Sequence, residues 1–303
     1  MVSERGDGLT NQEENWGKRP PVKRRRRAAY ALPTLFTSGN IFLGFLALVQ
    51  AFQGATQAAV GLPTASLRFA LAAKALGFAI FFDGLDGRIA RMTHTTSDFG
   101  RELDSLADFI TFGIAPAMLA FVWGVRYVAV TPDSELQSHL IRAGYLVAFV
   151  YLLCGAIRLA RFNVQTNPVP KNPGRPDRKY FVGMPSPAAA GLIAAIVFFD
   201  PSPVRSLWFS VVWLSLVALA ALLMVSTWRY PSFKQVSIAK PRTPLIVLVV
   251  GVAAFLIWEW APPFLLASAV TYAMTGIVIR VGGFVRRHRK VRTNSAYVEH
   301  QIG

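Results

Sequence analysis

Eight stretches of this chain are long and apolar enough to fill the hydrocarbon core of a bilayer, which takes about 20 residues of helix. They lie near 33–52, 68–90, 103–125, 138–158, 185–200, 207–228, 243–260 and 263–282, the fifth being the weakest. In lipid every backbone N–H and C=O must be satisfied within the protein, and a run of this length does so as a helix. Of the 303 residues 53% are hydrophobic and 16% charged, which excludes an ordinary soluble domain. The expected fold class is therefore an all-α integral membrane protein with about eight transmembrane helices.

The connections alternate between rich and poor in Lys and Arg. The N-terminal segment carries the run Arg24, Arg25, Arg26 and Arg27, whereas the connection before Arg68 has no basic residue. The second connection holds Arg88, Arg91 and Arg101, and the third little beyond Arg126. The fourth holds Arg158, Arg161, Lys171, Arg175, Arg178 and Lys179; the fifth has Arg205 alone; the sixth has Arg229, Lys234, Lys240 and Arg242. Because cytoplasmic loops retain positive charge, both termini are expected in the cytoplasm and the protein in the cell membrane. A net charge of +16 would suggest nucleic acid in a soluble protein, but here topology accounts for it and no nucleic-acid partner is expected. The arginine run also suits anionic lipid at roughly 1 kcal/mol per residue. Residues 1–27 read as a disordered basic tail and 286–303 as a second basic tail. Cys154 stands alone in an apolar segment and is expected in the core, and the four histidines share no metal-ligand spacing.

Against this background the acidic residues stand out. Asp83 and Asp86 lie at the end of the second span, and Asp104 and Asp108 at the start of the third, with Ser97 or Asp98 placed to cap the third helix. Residues three or four apart share a helix face, so each helix presents two carboxylates, with Gly87 and Gly100 leaving room beside them. Four partly desolvated carboxylates repel one another, and Arg91 alone cannot balance them. Hard oxygen ligands suit Mg²⁺, Mn²⁺ or Ca²⁺, and four carboxylates have capacity for two ions, an arrangement suited to phosphoryl displacement. Two other readings stand beside it: helix-end charges paired with nearby arginines, and a divalent-cation transporter. A cation pathway needs acids along several spans, whereas Asp200 and Glu259 lie near the opposite surface.

Read from Asp83, the spacing is D, two residues, D-G, two residues, A-R, eight residues, G, three residues, D, three residues, D, filled by Asp83, Asp86, Gly87, Ala90, Arg91, Gly100, Asp104 and Asp108. This resembles the signature of the CDP-alcohol phosphotransferase family. Four further segments, "LPTLFTSGNIFLGFLALV" from Leu32, "GAIRLARFNV" from Gly155, "KYFVGMPSPAAAG" from Lys179 and "STWRYPSFK" from Ser226, are similar to its membrane-embedded phosphatidylserine synthase branch. The likeness runs from Leu32 to Lys234, so 28–235 is expected to be the catalytic membrane domain and 236–285 two additional spans.

The resemblance implies a CDP-diacylglycerol donor whose pyrophosphate sits on two divalent cations, Mg²⁺ or Mn²⁺, and an alcohol that attacks the lipid-side phosphorus and expels CMP. Asp83, Asp86, Asp104 and Asp108 would ligate metal, with Asp108 also the general base. Asn40, Gly87, Arg91 and Gly100 would contact the CDP-lipid. The branch implies L-serine as acceptor; siblings use glycerol phosphate or inositol phosphate. A homodimer in the lipid bilayer is expected, with the active site facing the cytoplasm. For the serine carboxylate, Arg158 or Arg161 near Asn163 is the candidate, since an arginine fork binds a carboxylate bidentately. The other reading makes both arginines topology signals. Ser186 is open between a substrate contact and a loop cap.

Overall fold

The computed structural model describes the backbone of residues 27–93, 98–129, 135–166, 180–231, 256 and 259–280. Side chains are described for 34–85, 99–129, 135–164, 182–228, 230, 256 and 259–280. Helix α1 (Arg27–Ala59) is followed by α2 (Thr64–Thr93) and by one rod made of α3 (Asp98–Asp108), a π-helical turn (Phe109–Ile114) and α4 (Ala115–Gly124). Next come α5 (Glu135–Thr166), strand β1 (Tyr180–Val182), α6 (Ser186–Phe199), α7 (Leu207–Val225), strand β2 (Arg229–Pro231) and α8 (Glu259–Arg280).

Among the described residues six helical stretches are long and apolar enough to cross a membrane: Thr34–Ala59, Thr64–Leu85, Phe99–Gly124, Glu135–Val164, Leu207–Val225 and Glu259–Arg280. The expected fifth span is shorter. Helix α6 has 14 residues, about 21 Å of rise against a hydrocarbon core of about 30 Å. It is enclosed by protein instead of lipid: Ala189, Ala190, Ile193 and Val197 are fully buried. Beyond it the non-helical backbone is satisfied from within, with Val204 N–H donating to Trp123 O at 2.9 Å and Ala129 N–H to Arg205 O at 2.8 Å. The expected seventh span, near 243–260, lies almost wholly outside the described residues, as do both tails apart from Arg27.

The all-α fold class stands, with one small ribbon added to the helices. Strands β1 and β2 form an antiparallel ribbon that pairs Tyr180 with Pro231, Phe181 with Tyr230 and Val182 with Arg229. Two segments separated in sequence, "YFVG" and "WRYP", are thereby joined at one end of the bundle. Gly183 makes the junction possible. Its φ is +81°, and a Cβ there would overlap the carbonyl oxygen of Met224. Its N–H donates to Trp228 O at 2.8 Å and that of Met184 to Leu223 O at 2.9 Å, so the start of α6 is bound to the end of α7. Pro185 caps α6 in extended backbone, because proline lacks the N–H a preceding helical turn would need.

At the opposite end α1 closes with Gly61 at φ +72°. Its N–H reaches Ala58 O at 3.1 Å and the next N–H, of Leu62, reaches Gln57 O at 3.0 Å, the pairing that ends a helix through a left-handed residue. This turn folds α2 back along α1, and Gly54 lets the Phe69 ring lie against the α1 backbone. The same device acts at Gly44, where the π-helical turn approaches so closely that a Cβ would stand 2.9 Å from Thr111 Cα. Small residues at crossings are what apolar helices use when lipid supplies no hydrophobic drive between them.

Gly44→Val therefore forces α1 off the π-helical turn, at a cost of about 1–3 kcal/mol from overpacking. Its thermal midpoint in detergent should fall clearly below that of the parent protein. Gly77→Ala, whose added methyl meets nothing within 4 Å, should melt with the parent; equal midpoints for the two variants would show that the α1 crossing is not tightly packed.

Candidate active site

The second and third spans meet at one end of the bundle, and their acidic residues meet with them. Asp83 comes from α2, while Asp104 and Asp108 stand one helical turn apart on α3. Each is half-buried, and one carboxylate oxygen from each lies within 4.8 Å of the other two. Three carboxylates at this separation in a partly desolvated place repel strongly unless a cation shares the space. The donor set is all hard oxygen and converges from two helices, which fits a divalent ion such as Mg²⁺, Mn²⁺ or Ca²⁺.

Just after Asp108 the rod departs from α-helix. Over Phe109–Ile114 the ladder widens by one residue, so that the N–H of Ala115 reaches Ile110 O. Single π turns are costly in isolation and recur at functional sites. Here the turn is clamped from both sides. Thr111 Oγ1 donates to Asn40 O of α1 at 3.1 Å, and Tyr151 Oη of α5 donates to Phe112 O at 3.3 Å, both bonds being buried. Gly113 faces Gly155 of α5 closely enough that a Cβ on the latter would touch the former's Cα at 4.0 Å. The widened turn rotates the rest of the rod relative to Asp104 and Asp108, so the carboxylates face the cleft while Thr111 and Phe112 enter the core.

Asn40 is the second half of this arrangement. It is 1% exposed, and neither its carboxamide oxygen nor its nitrogen has a hydrogen-bond partner. A buried amide left unpaired costs about 1–3 kcal/mol. Such a group, on the residue whose backbone carbonyl clamps the acid-bearing rod, is poised for a polar ligand.

Arg158 of α5 supplies positive charge. It is half-buried, and Asp108 acts on it electrostatically, with Asp83 a weaker influence. One terminal nitrogen donates to Ser186 Oγ at 2.9 Å, and its Nε is buried without a partner. Ser186, 1% exposed at the start of α6, thus holds the guanidinium from the side. Arg161, one turn on, is used differently: it donates to Val225 O at 3.2 Å, to Val182 O at 3.1 Å and to Met224 O at 3.5 Å. It satisfies the last carbonyls of α7 and ties them to β1. Asn163 donates from Nδ2 to Ser105 Oγ at 2.9 Å, joining α5 to α3 beside Asp104.

Of the acidic motif, Asp83, Asp104 and Asp108 come together, and Gly100 sits in the first turn of α3. Asp86, Gly87 and Arg91 continue α2 beyond Asp83, and their side chains lie outside those described. Of the acceptor group, Arg158 has an unpartnered donor near the acids, while Arg161 and Asn163 join helices and ribbon. The π turn, Tyr151 and the link from Arg158 to Ser186 were not legible in advance. The only trace of the turn is the small residues Gly44, Gly113 and Gly155, which have meaning once the helices are placed.

Comparison with known proteins agrees with this geometry. The family model described as CDP-alcohol phosphatidyltransferase matches residues 30–218, which hold the acid cluster, Asn40, the π turn, Arg158, Arg161, Asn163 and Ser186. A Helicobacter pylori protein named CDP-diacylglycerol–serine O-phosphatidyltransferase is 38% identical over 222 residues, covering 73% of this chain and 78% of the relative. Proteins of the same name from Methanocaldococcus jannaschii (32% over 207 residues, 68% and 82% covered) and Mycobacterium leprae (32% over 254 residues, 81% and 72% covered) are also similar.

Asp104→Asn keeps the shape of the side chain and removes one charge from the cluster. Mn²⁺ binding, followed by electron paramagnetic resonance in detergent, should weaken at least about tenfold while the melting temperature stays within a few degrees. Unchanged Mn²⁺ affinity would contradict the ligand assignment.

Proposed function

The chain belongs to the CDP-alcohol phosphatidyltransferase family, and on that premise we propose that it transfers the phosphatidyl group of CDP-diacylglycerol to the hydroxyl of L-serine, giving phosphatidylserine and CMP. The names of the relatives support this choice of donor and acceptor. The observation that carries it is the meeting of three carboxylates with one half-buried arginine, beside an unpartnered asparagine, at one end of a membrane bundle. The carboxylates suit the metal-bound pyrophosphate of the donor, and the arginine suits the carboxylate of an amino acid.

In this reading Asp83, Asp104 and Asp108, with Asp86, hold two divalent ions, Mg²⁺ or Mn²⁺. When bound, the ions supply positive charge against the pyrophosphate and the departing CMP. Asp108 accepts the proton of the serine hydroxyl as its oxygen forms the new bond to the lipid-side phosphorus and the bond to the CMP oxygen breaks. Asn40, Gly87, Arg91 and Gly100 line the donor side, Asn40 offering its carboxamide to the nucleotide. Arg158, steadied by Ser186, takes the serine carboxylate through its inner donors. Arg161 and Asn163 hold the wall of that pocket in place through the contacts they make. Most of the work is positioning and charge, as phosphoryl transfer requires.

The distribution of Lys and Arg supports placing this end of the bundle, and both termini, at the cytoplasmic face, where a lipid donor arrives from the inner leaflet and serine from water. Residues 28–235 form the catalytic domain in this reading, with the later spans appended, and the working unit is a homodimer.

Purified protein supplied with CDP-diacylglycerol and Mn²⁺ or Mg²⁺ should release CMP only when L-serine is added, and EDTA should stop it. Release with glycerol 3-phosphate or inositol phosphate in place of serine would overturn the acceptor. Metal flux into liposomes with no CMP release from any acceptor would overturn the enzyme reading. Arg158→Lys, which keeps the charge but loses the fork, should raise the serine KM at least about tenfold and leave that of CDP-diacylglycerol within twofold.

A further inference from the structure

The hydrogen bond from Thr111 to α1 falls on the one residue of that helix assigned to the donor. Within the α-helical ladder the Asn40 carbonyl serves the N–H of Gly44, four residues on, and a carbonyl oxygen has a second lone pair to offer. Thr111 Oγ1 donates to that oxygen at 3.1 Å in a buried bond. Gly44 makes the approach possible, since a Cβ there would overlap Thr111 Oγ1 and stand 2.9 Å from Thr111 Cα. Asn40, Gly44 and Thr111 thus form one lock between α1 and the π-helical turn.

The lock couples two parts of the site that lie on different helices. Thr111 follows Asp108 by three residues in the same rod, and α1 lies along both α3 and the π turn. From the α5 side Tyr151 Oη donates to Phe112 O at 3.3 Å, so the turn is fixed and α1 takes its register from it. Asn40 therefore has its backbone committed to the acid-bearing rod, while its carboxamide, on a residue 1% exposed, has no partner for either polar atom. Apolar packing at this crossing needs no hydroxyl, and burying one is unfavourable unless it is aimed at an acceptor. Thr111, itself fully buried, aims its hydroxyl at the backbone of the residue with the idle amide.

We propose that Thr111 is a positioning residue for the donor: bonded to the Asn40 carbonyl through the gap left by Gly44, it sets the register of α1 against the rod that carries Asp104 and Asp108. The Asn40 carboxamide and the carboxylates then meet the two ends of one cytidine diphosphate group at a fixed separation. The inference rests on the donor reading of Asn40 above and extends it to a residue outside the acidic motif.

The test uses the full-length protein in detergent. Thr111→Val keeps the shape of the side chain and removes the hydroxyl. The KM for CDP-diacylglycerol should rise about fivefold, the scale of one neutral hydrogen bond, and calorimetric binding of CDP in the presence of Mn²⁺ should weaken in parallel. The serine KM and the Mn²⁺ affinity without nucleotide should stay within twofold. Thr111→Ser, which restores the hydroxyl, should bind CDP as the parent does. Gly44→Ala, which breaks the same contact from the α1 side, should reproduce the donor-selective loss. In an Asn40→Ala background Thr111→Val should add no further change, since the carboxamide it places is gone. Unchanged donor KM and CDP affinity in Thr111→Val would overturn the proposal. So would a loss shared equally by CDP, serine and Mn²⁺ in either variant, which would mark the contact as packing alone. Asn40→Ala with parental CDP affinity would overturn the donor reading and this inference with it, whereas a loss in Asn40→Ala with a silent Thr111→Val would overturn only the inference.

Discussion

Everything at the working end of this protein answers to the repulsion among Asp83, Asp104 and Asp108. Carboxylate oxygens within 4.8 Å of one another, partly withdrawn from water, would drive their helices apart or take up protons if nothing opposed them. The bundle opposes them by packing. Thr111 is bonded to the Asn40 carbonyl, Tyr151 to the Phe112 carbonyl, and Gly44 lets α1 press against the rod that carries two of the acids. The cluster is thus held ready for positive charge instead of relaxing away from itself. The cluster carries this unfavourable charge in advance of any cation.

The membrane shapes how that is done. In lipid a non-helical backbone is tolerated only where protein encloses it, and each irregular feature here obeys that rule. The π turn has core contacts on both sides, α6 is short but enclosed, and the β1–β2 ribbon is locked by Arg161 bonding the final carbonyls of α7 and Val182. Arg161 and Arg158 stand one turn apart on the same helix with opposite uses. One commits its terminal nitrogens to backbone carbonyls; the other, held by Ser186, leaves its inner Nε buried without a partner. Chemical type did not separate them, and only their neighbours do.

That contrast shows what a single sequence can reveal. Local features were legible: apolar length identified the six membrane-length helices seen among the described residues, though it also made α6 a span, and the spacing of Asp83, Asp104 and Asp108 put them on facing stripes, because helix periodicity is a property of the chain itself. Features that depend on which helix lies beside which were not. No residue in "FITFGI" announces a π turn; it arises because α1 and α5 clamp it. The pairing of "YFVG" with "WRYP" joins segments about fifty residues apart, and α8, whose sequence reads as a plain apolar span, is tied to the β1–β2 ribbon by Tyr230 filling the notch at Gly276.

The most direct measurement is anomalous diffraction at the manganese edge from crystals grown with Mn²⁺ and CDP-diacylglycerol. The account predicts manganese peaks bounded by Asp83, Asp104 and Asp108, with the donor pyrophosphate on them and the Asn40 carboxamide turned toward the nucleotide. Bound donor with manganese elsewhere, or with no manganese at the three carboxylates, would contradict it.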